Sequence, residues 1–169
     1  SFSLIPTNQK TYQKPPDEYL QFTLQYSLAK LLISFGIMPQ TLVCAGWGQI
    51  AGACVANVID IQTGLNLVNM LYEYQLFQKQ HPQQQSHEQA QAIQTFIRKL
   101  TLKQAGFNLC HTINPAEHHL FHQLARKTGA CDKNHITDIM QKKDSVIIKI
   151  SQDSPDLPTP HATSLFSEK

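Results

Sequence analysis

The sequence has few charged residues, and those it has are nearly balanced in sign. Asp, Glu, Lys and Arg make up 15% of the 169 residues, which is below the usual quarter. Fourteen Lys and Arg against twelve Asp and Glu leave a net charge of +2. No stripe of Lys or Arg accompanies that small excess, so the sequence gives no indication of nucleic-acid binding.

Long apolar runs and closely spaced cysteine pairs are also missing. No apolar segment is long enough to span a bilayer, and residues 1–11 lack the regions of a secretory signal, so no membrane association is predicted. The four cysteines are scattered and form no CxxC pair. Cys44, Cys54 and Cys110 lie in apolar runs, which is typical of small buried side chains. We therefore expect reduced thiols and a cytoplasmic protein.

The length of the sequence and its 41% hydrophobic residues are sufficient for one globular domain with a hydrophobic core. Residues 1–16 are polar and carry prolines, which indicates a linker or a strap on a neighbouring domain. Residues 17–150 form the predicted domain. Within it, residues 78–94 contain eight glutamines and are interpreted as a Gln-rich surface linker. Residues 151–169, with three prolines and no periodicity, are interpreted as a flexible tail and suggest a piece of a longer protein.

The pattern within the predicted domain alternates between helical and strand periodicity. In residues 18–35 the apolar side chains recur at helical spacing, and Gly36 followed by Pro39 ends that helix. The order of elements predicts an α/β fold of three layers, with a short, mostly parallel sheet flanked by helices. Further helices are predicted at 49–58, 61–78, 89–102, 115–127 and 134–142, and strands at 41–44, 107–113 and 145–150.

A sharp turn between the first predicted strand and the small-residue helix has the setting of a nucleophile elbow. Such an elbow is built as a small residue, any residue, the nucleophile, any residue and then glycine, because small flanking residues let a strained turn pack closely. Cys44, Ala45, Gly46, Trp47 and Gly48 fit these five positions. In this alignment the position of the nucleophile falls on Gly46.

Residues 20–68 resemble the acyltransferase domains of polyketide and fatty-acid synthases. Residues 20–32 are similar to the helix before the elbow, and residues 36–40 to a "Gly-Ile-x-Pro-Asp" bend. Residues 53–58 and 65–68 are similar to the two helices that follow. Weaker similarity continues at 100–113 and 145–150. The resemblance implies the core of the large acyltransferase subdomain.

The positions that carry catalysis in that family are occupied differently here. Where the family has "Gly-His-Ser-x-Gly-Glu", this sequence has Ala45 for the histidine, Gly46 for the serine and Gln49 for the glutamate. Leu71 stands where the family has an arginine that binds the malonyl carboxylate, and leucine cannot form that ion pair. Since a missing nucleophile removes most of the rate enhancement, the resemblance implies a domain without catalytic residues and without a cofactor.

The family's small ferredoxin-like subdomain, which precedes its catalytic histidine, also lacks an equivalent. The connection between Tyr74 and the helix near Gln89 is too short to contain it, so we expect that the Gln-rich linker replaces it. Ser86 and His87 could be a relic of the family's "Ser-His" base motif; the alternative is a solvated linker histidine. The asparagine that supports that base falls near Thr112, and residues 1–16 contain no "Gly-Gln-Gly" oxyanion segment.

Three other features have two interpretations each. His111, His118, His119 and His122 have spacings that can bind zinc, but no Glu or cysteine pair completes a motif, so a polar helix face is favoured and no metal is predicted. Trp47 is interpreted as a plug for the vacated acyl pocket, the alternative being an ordinary core or surface aromatic. Residues 65–77 are expected in the core, although part of that face could bind a partner once the subdomain is gone.

Two classes of function follow from these observations. The favoured hypothesis is a non-catalytic scaffold or docking domain of a polyketide synthase. Its partner would be a neighbouring ketosynthase domain, a trans-acting acyltransferase or an acyl carrier protein. The alternative is a divergent acyltransferase or hydrolase that acts on acyl-CoA or acyl-carrier substrates and uses Cys44 or His87. A stand-alone α/β binding protein with fortuitous similarity is the third possibility.

Overall fold

The fold is α/β, as predicted, and consists of six helices around a parallel pair of strands within the part of the chain that the structure describes. The computed structural model describes residues 16–83, 86–112, 118–129, 131 and 133–141. The elements are α1 (Asp17–Ser34), β1 (Thr41–Cys44), α2 (Gly48–Val55), α3 (Ile61–Gln80), α4 (His87–Lys99), β2 (Asn108–His111), α5 (His119–Thr128) and α6 (Lys133–Gln141).

The two strands form a parallel ladder in which Thr41 is opposite Asn108 and Cys44 is opposite His111. Because parallel strands need a crossover between them, helices α2, α3 and α4 all lie between β1 and β2 in the chain. This arrangement is consistent with three layers and confirms the predicted α/β class. The third predicted strand, at 145–150, lies outside the described residues.

Helix α2 lies at the centre of the molecule, and every residue from Gln49 to Val55 is buried. Its small side chains allow a close approach to β1. A β-carbon on Gly52 would collide with the sulfur of Cys44 and lie 3.4 Å from Leu109 Cδ1. The small residues of α2 therefore let this helix lie close against the sheet.

Helix α1 begins and ends one residue before the predicted bounds of 18–35. The side that faces the core is not the side that carries most of its leucines. Phe22 is the buried residue of this helix, with Tyr19 and Tyr26 packed against the core beside it. Of the six apolar residues that recur at helical spacing, Leu32 is half-buried and the other five are exposed. We call this set the α1 stripe: Leu20, Leu24, Leu28, Leu31 and Phe35.

Helix α3 begins with a side-chain cap, since Asp60 accepts a hydrogen bond from the Thr63 backbone N–H at 2.7 Å. Leu67, Val68, Leu71 and Tyr74 are buried, which confirms that the segment 65–77 belongs to the core. The Gln-rich segment is largely helical. Residues 78–80 complete α3 and residues 87–94 belong to α4, so residues 81–86 alone connect these two helices.

The cysteines depart from the expectation of unpaired thiols. Cys110 at the end of β2 forms a disulfide with Cys131, and their Cα atoms are 5.1 Å apart. Cys110 is buried, as predicted, but the pairing was not foreseen because the two residues are 21 positions apart in the chain. Cys44 and Cys54 are free thiols. None of the helices in the described ranges combines the length and apolarity that a bilayer crossing requires.

Candidate functional site

The segment between β1 and α2 has the backbone of a nucleophile elbow. The strand ends at Cys44 and the helix begins at Gly48. The turn is closed by hydrogen bonds from the Gly48 N–H to the Ala45 carbonyl, at 2.9 Å, and from the Gln49 N–H to the Gly46 carbonyl, at 3.0 Å. The strand, turn and helix predicted from the sequence are therefore present.

Gly46 occupies the strained position of this turn. Its φ angle is 51°, in the left-handed region that glycine enters without the penalty other residues incur. A strained residue at the centre of the turn is what holds a nucleophile up at an elbow. Here that position carries no side chain, so the geometry of the elbow is kept while the reacting group is absent.

Cys44 is the nearest thiol to the elbow and is a poor substitute nucleophile. Although part of the residue is exposed, its sulfur lies against Gly52 of α2. Burial raises the pKa of the Cys44 thiol to about 12, and the thiolate is the form that attacks a substrate. At neutral pH this thiol is protonated and lies against helix α2.

Gln49, in the position of the family's glutamate, is fully buried at 0% exposure. Its Nε2 donates to the carbonyl oxygen of Thr112 at 3.3 Å. Its Oε1 has no hydrogen-bond partner among the described residues. The amide thus ties the first turn of α2 to the end of β2, a link that needs a donor and that a carboxylate could not make.

His111 is buried at the same edge of the sheet, directly opposite Cys44. The Thr128 hydroxyl donates to the Leu124 carbonyl at 2.8 Å, so it accepts from His111 Nε2, which lies 2.7 Å away. His111 Nδ1 is then a bare acceptor without a partner among the described residues. Burial lowers the pKa of His111 to about 4, which keeps this imidazole neutral at physiological pH.

Thr112, at the position of the family's supporting asparagine, links the two strands beyond the ladder. Its backbone N–H donates to the Cys44 carbonyl at 2.8 Å, and its hydroxyl donates to the same oxygen at 3.3 Å. Together with the Gln49 amide, these bonds close the carboxyl edge of the sheet. Polar groups that could orient a base are used here to join β1, β2 and α2.

Trp47 follows Gly46 in the turn and immediately precedes helix α2. Its ring meets that of Phe121 on α5 edge to face, with ring centroids 5.2 Å apart, a favourable geometry for aromatic pairs. The residue is half-buried against the hydrophobic core. The contact shows how Trp47 fills the space beside the elbow, while its role as a plug for an acyl pocket stays a prediction.

The two remaining candidate positions lie in different surroundings. Leu71, at the position of the carboxylate-binding arginine, is 1% exposed and lies within the hydrophobic core. His87 is exposed at the first residue of α4. Leu71 therefore has a packing role, and the surroundings of His87 are those of a solvated helix terminus.

Of the four histidines that sequence spacing grouped together, the fold places His111 apart, while the ring centroids of His118 and His119 lie 4.2 Å from each other. His111 lies on β2, whereas His118 caps α5 by accepting from the Leu120 N–H at 3.3 Å. His118 Nε2 is 3.3 Å from the Tyr74 hydroxyl, and His119 Nε2 is 3.2 Å from Gln94 Nε2. Burial, with His119 and His122 nearby, lowers the pKa of His118. Across the described ranges, no three His, Cys, Asp or Glu side chains are grouped so that they could hold a metal ion.

Sequence reasoning missed two features near this site. It treated His111 as a member of a histidine cluster, although the residue falls within the predicted strand 107–113; the structure places it opposite Cys44. It also missed the disulfide between Cys110 and Cys131, for which the even number of cysteines was the only hint in the sequence.

Comparison with known proteins finds a local match. A stretch of 49 residues is 43% identical to the non-reducing polyketide synthase sor2 of Hypocrea jecorina (strain QM6a). That stretch is 29% of this chain and 2% of the synthase. No protein-family model matches the chain, and no solved structure matches it. Over part of its length, the chain is therefore similar to a polyketide synthase.

Proposed function

We propose that the chain is a non-catalytic, acyltransferase-like docking domain of a polyketide synthase, and that it packs beside a ketosynthase domain. The observation that carries the proposal is the elbow, whose strained turn is intact while Gly46 supplies no nucleophile. The similarity to a polyketide synthase supports the setting. The alternative of a divergent acyltransferase or hydrolase is disfavoured by the raised pKa of Cys44 and by the exposed position of His87.

The surface that serves docking in this proposal is the α1 stripe. Leu24 is 55% exposed and Phe35 is 72% exposed. Ile37 and Met38, just beyond the helix, are exposed as well and extend the apolar surface. A contiguous apolar surface of this kind on a small domain is typical of an interaction site.

The occupant of the stripe in this proposal is the ketosynthase domain that precedes it in the same assembly line. The segment 1–16, predicted to be a linker or strap on a neighbouring domain, leads directly into α1. The matched stretch amounts to 2% of a far longer synthase, so the related segment has neighbouring chain on which to pack.

The docking role is tested with the ketosynthase domain of the synthase to which we propose that the chain belongs. Binding of the separately purified domain is measured by calorimetry for the wild type and for Leu24→Gln/Leu31→Gln. We expect the double variant to bind about tenfold more weakly or worse, because buried leucines contribute most of an apolar contact. Ile61→Gln/Leu102→Gln, which changes two exposed apolar residues elsewhere, is the matched control. Absence of binding by the wild type, or equal losses in both variants, contradicts the docking role.

The non-catalytic part of the proposal has its own test. The protein is incubated with labelled malonyl-CoA and acetyl-CoA, and its intact mass is measured. We expect no acyl adduct, because the elbow lacks a nucleophilic atom and the thiol of Cys44 is protonated. A covalent adduct on Cys44 or His87 would overturn this part of the proposal.

A synthase role also implies a cytoplasmic location, where thiols are kept reduced. We therefore propose that Cys110 and Cys131 are reduced in the cell and pair on oxidation. Alkylation of the protein in freshly lysed cells, followed by mass measurement, is expected to label both residues. A disulfide already present at lysis would contradict the proposed location.

A further inference from the structure

Helices α4 and α5 pack side by side and run in the same direction. Near the middle of α4, Gln94 lies 3.2 Å from His119 at the start of α5. At the other end, the Lys127 ammonium donates to the Arg98 carbonyl at 3.2 Å. Residue numbers thus rise together along the pair, which places the carboxyl termini of both helices at the same end of the molecule.

Each of these helices ends with two consecutive cations. Arg98 and Lys99 are the last residues of α4, and Arg126 and Lys127 lie in the last turn of α5. All four side chains are exposed. A cation at a helix carboxyl terminus is favourable on its own, but parallel packing brings both pairs together and adds repulsion between like charges. The favourable helix-end effect does not require that juxtaposition.

A shallow cleft that is open to solvent lies between the two helix ends. Ile97 and Gln123 line it together with Arg98, Arg126 and Lys127. Among the described residues that line the cleft, none carries a carboxylate, so its walls are of one charge. Arginine is the side chain best suited to hold an external carboxylate, because its planar fork can donate two hydrogen bonds at once.

We propose that this basic cleft docks an acidic protein surface, with Arg98 and Arg126 pairing with carboxylates of the partner. The inference rests on the proposed docking function and adds a second surface to it, separate in residues and in chemistry from the α1 stripe. The partner it describes is a protein of the assembly line whose contact face is rich in Asp and Glu. Such complementarity steers the encounter and makes binding sensitive to salt.

Protein rather than nucleic acid is the partner that the cleft favours. Single strands are held by aromatic side chains on which bases stack, whereas no aromatic side chain is among the described residues that line this cleft. Duplex binding depends on many phosphate contacts along an extended basic surface, whereas the cations of this cleft are confined to two helix ends.

The test uses the full chain and a labelled oligoglutamate peptide as the probe, with binding measured by fluorescence anisotropy at low salt. Oligoglutamine of equal length and a short duplex DNA are the comparison probes. We expect the acidic peptide to bind, and we expect Arg98→Glu/Arg126→Glu to weaken its binding about tenfold or more. Lys30→Glu/Lys79→Glu, which changes the net charge equally on other helices, is expected to have a much smaller effect.

Circular dichroism establishes that each variant is folded, and Arg98→Gln/Arg126→Gln repeats the test without introducing acidic groups. Absence of binding to the acidic peptide, tighter binding to the duplex, or equal losses in both charge-reversed variants overturns the inference. The docking of a ketosynthase on the α1 stripe is measured separately. A failure of the basic cleft is therefore distinguishable from a failure of the proposed function.

Discussion

The elbow and the outer face of α1 are both rich in apolar residues, but they use them in opposite ways. At the elbow the residues are small and enclosed, with Gly52 lying directly against the sulfur of Cys44. On α1 they are large and open to solvent, as Leu24 and Phe35 illustrate. Close packing explains the first set completely. The second contributes little to the described core, and it is the surface on which we propose that a partner docks.

The largest loss of stability is expected when the buried amide of Gln49 is replaced by a carboxylate. Gln49→Glu, which restores the residue of the acyltransferase pattern, would place a carboxylate against the Thr112 carbonyl in a site with 0% exposure. A buried charge without a partner costs about 3 to 5 kcal/mol. Urea unfolding near neutral pH measures the loss, and Gln49→Met is the uncharged control. A stability equal to that of the wild type would mean that the carboxyl group finds another partner.

The next largest loss of stability is expected where Gly52 contacts Cys44. Gly52→Ala is expected to destabilise the fold by about 2 kcal/mol, because the added β-carbon overpacks this contact. Cys44→Ala in the same protein removes the colliding sulfur and should recover much of the loss. Gly48→Ala is the matched control, since a β-carbon there lies 3.4 Å from Gln25 Oε1. Additive effects of the two substitutions would show that the contact does not limit packing.

Because His111 is buried at the carboxyl edge of the sheet, the stability of the fold should also depend on pH. His111 has a pKa of about 4 in the folded protein against an ordinary 6.5, so the unfolded chain binds a proton first as the pH falls. Stability is therefore complete above about pH 6.5, declines toward about pH 4, and is lower by about 2 kcal/mol at about pH 5. Denaturant titrations across this window measure the slope. His111→Gln should flatten it, whereas an unchanged slope would assign the pH dependence to other groups.

A smaller effect is expected at the centre of the elbow. Gly46→Ser restores the hydroxyl of the acyltransferase pattern at a φ angle of 51°, and the left-handed backbone costs a serine about 1 kcal/mol. Thermal unfolding measures that strain. Because His87, the candidate base, is exposed at the start of α4, we expect this variant to form no acyl adduct with malonyl-CoA. Rapid acylation would show that one substitution is enough to restore the site.

The smallest effect on stability is expected on α1. Leu24→Gln/Leu31→Gln changes two exposed side chains, so the free energy of unfolding should move by about 0.5 kcal/mol or less. The same variant should lose binding to the ketosynthase, which separates docking from folding. Phe22→Ala, on the buried side of the same helix, should instead lose about 3 kcal/mol. A large loss from the leucine variant would place the stripe in the core of the folded chain.

Periodicity predicted the helices well because it depends on local spacing alone. Residues 41–44 and the small-residue helix after them were located correctly, since strand formers followed by a glycine-containing turn leave few alternatives. The same pattern could not give the orientation of α1. Six apolar residues at helical spacing define one side of a helix, but which side is buried depends on what packs against it. In α1 the buried side is the one that carries Phe22, with two tyrosines beside it.

For the candidate site, too, the sequence showed the residue types but not their contacts. The residue types at Ala45, Gly46, Gln49 and Leu71 were readable one by one, and each lacks the chemistry of the acyltransferase pattern. Their surroundings were not readable. That Gln49 donates to the Thr112 carbonyl depends on a contact between residues 63 positions apart, and such long-range contacts leave no periodic signal in the sequence.

The sequence by itself determined the succession of helices and strands, the glycine at the turn and the resemblance to acyltransferase domains. These depend on residue identity and near-neighbour spacing. Tertiary structure alone decided that Cys110 meets Cys131, that His111 lies opposite Cys44, and that the basic ends of α4 and α5 come together. Each of these joins residues distant in the chain. Their proximity follows from how the helices pack around the parallel strands, because packing is chosen by the shape and burial of the whole domain.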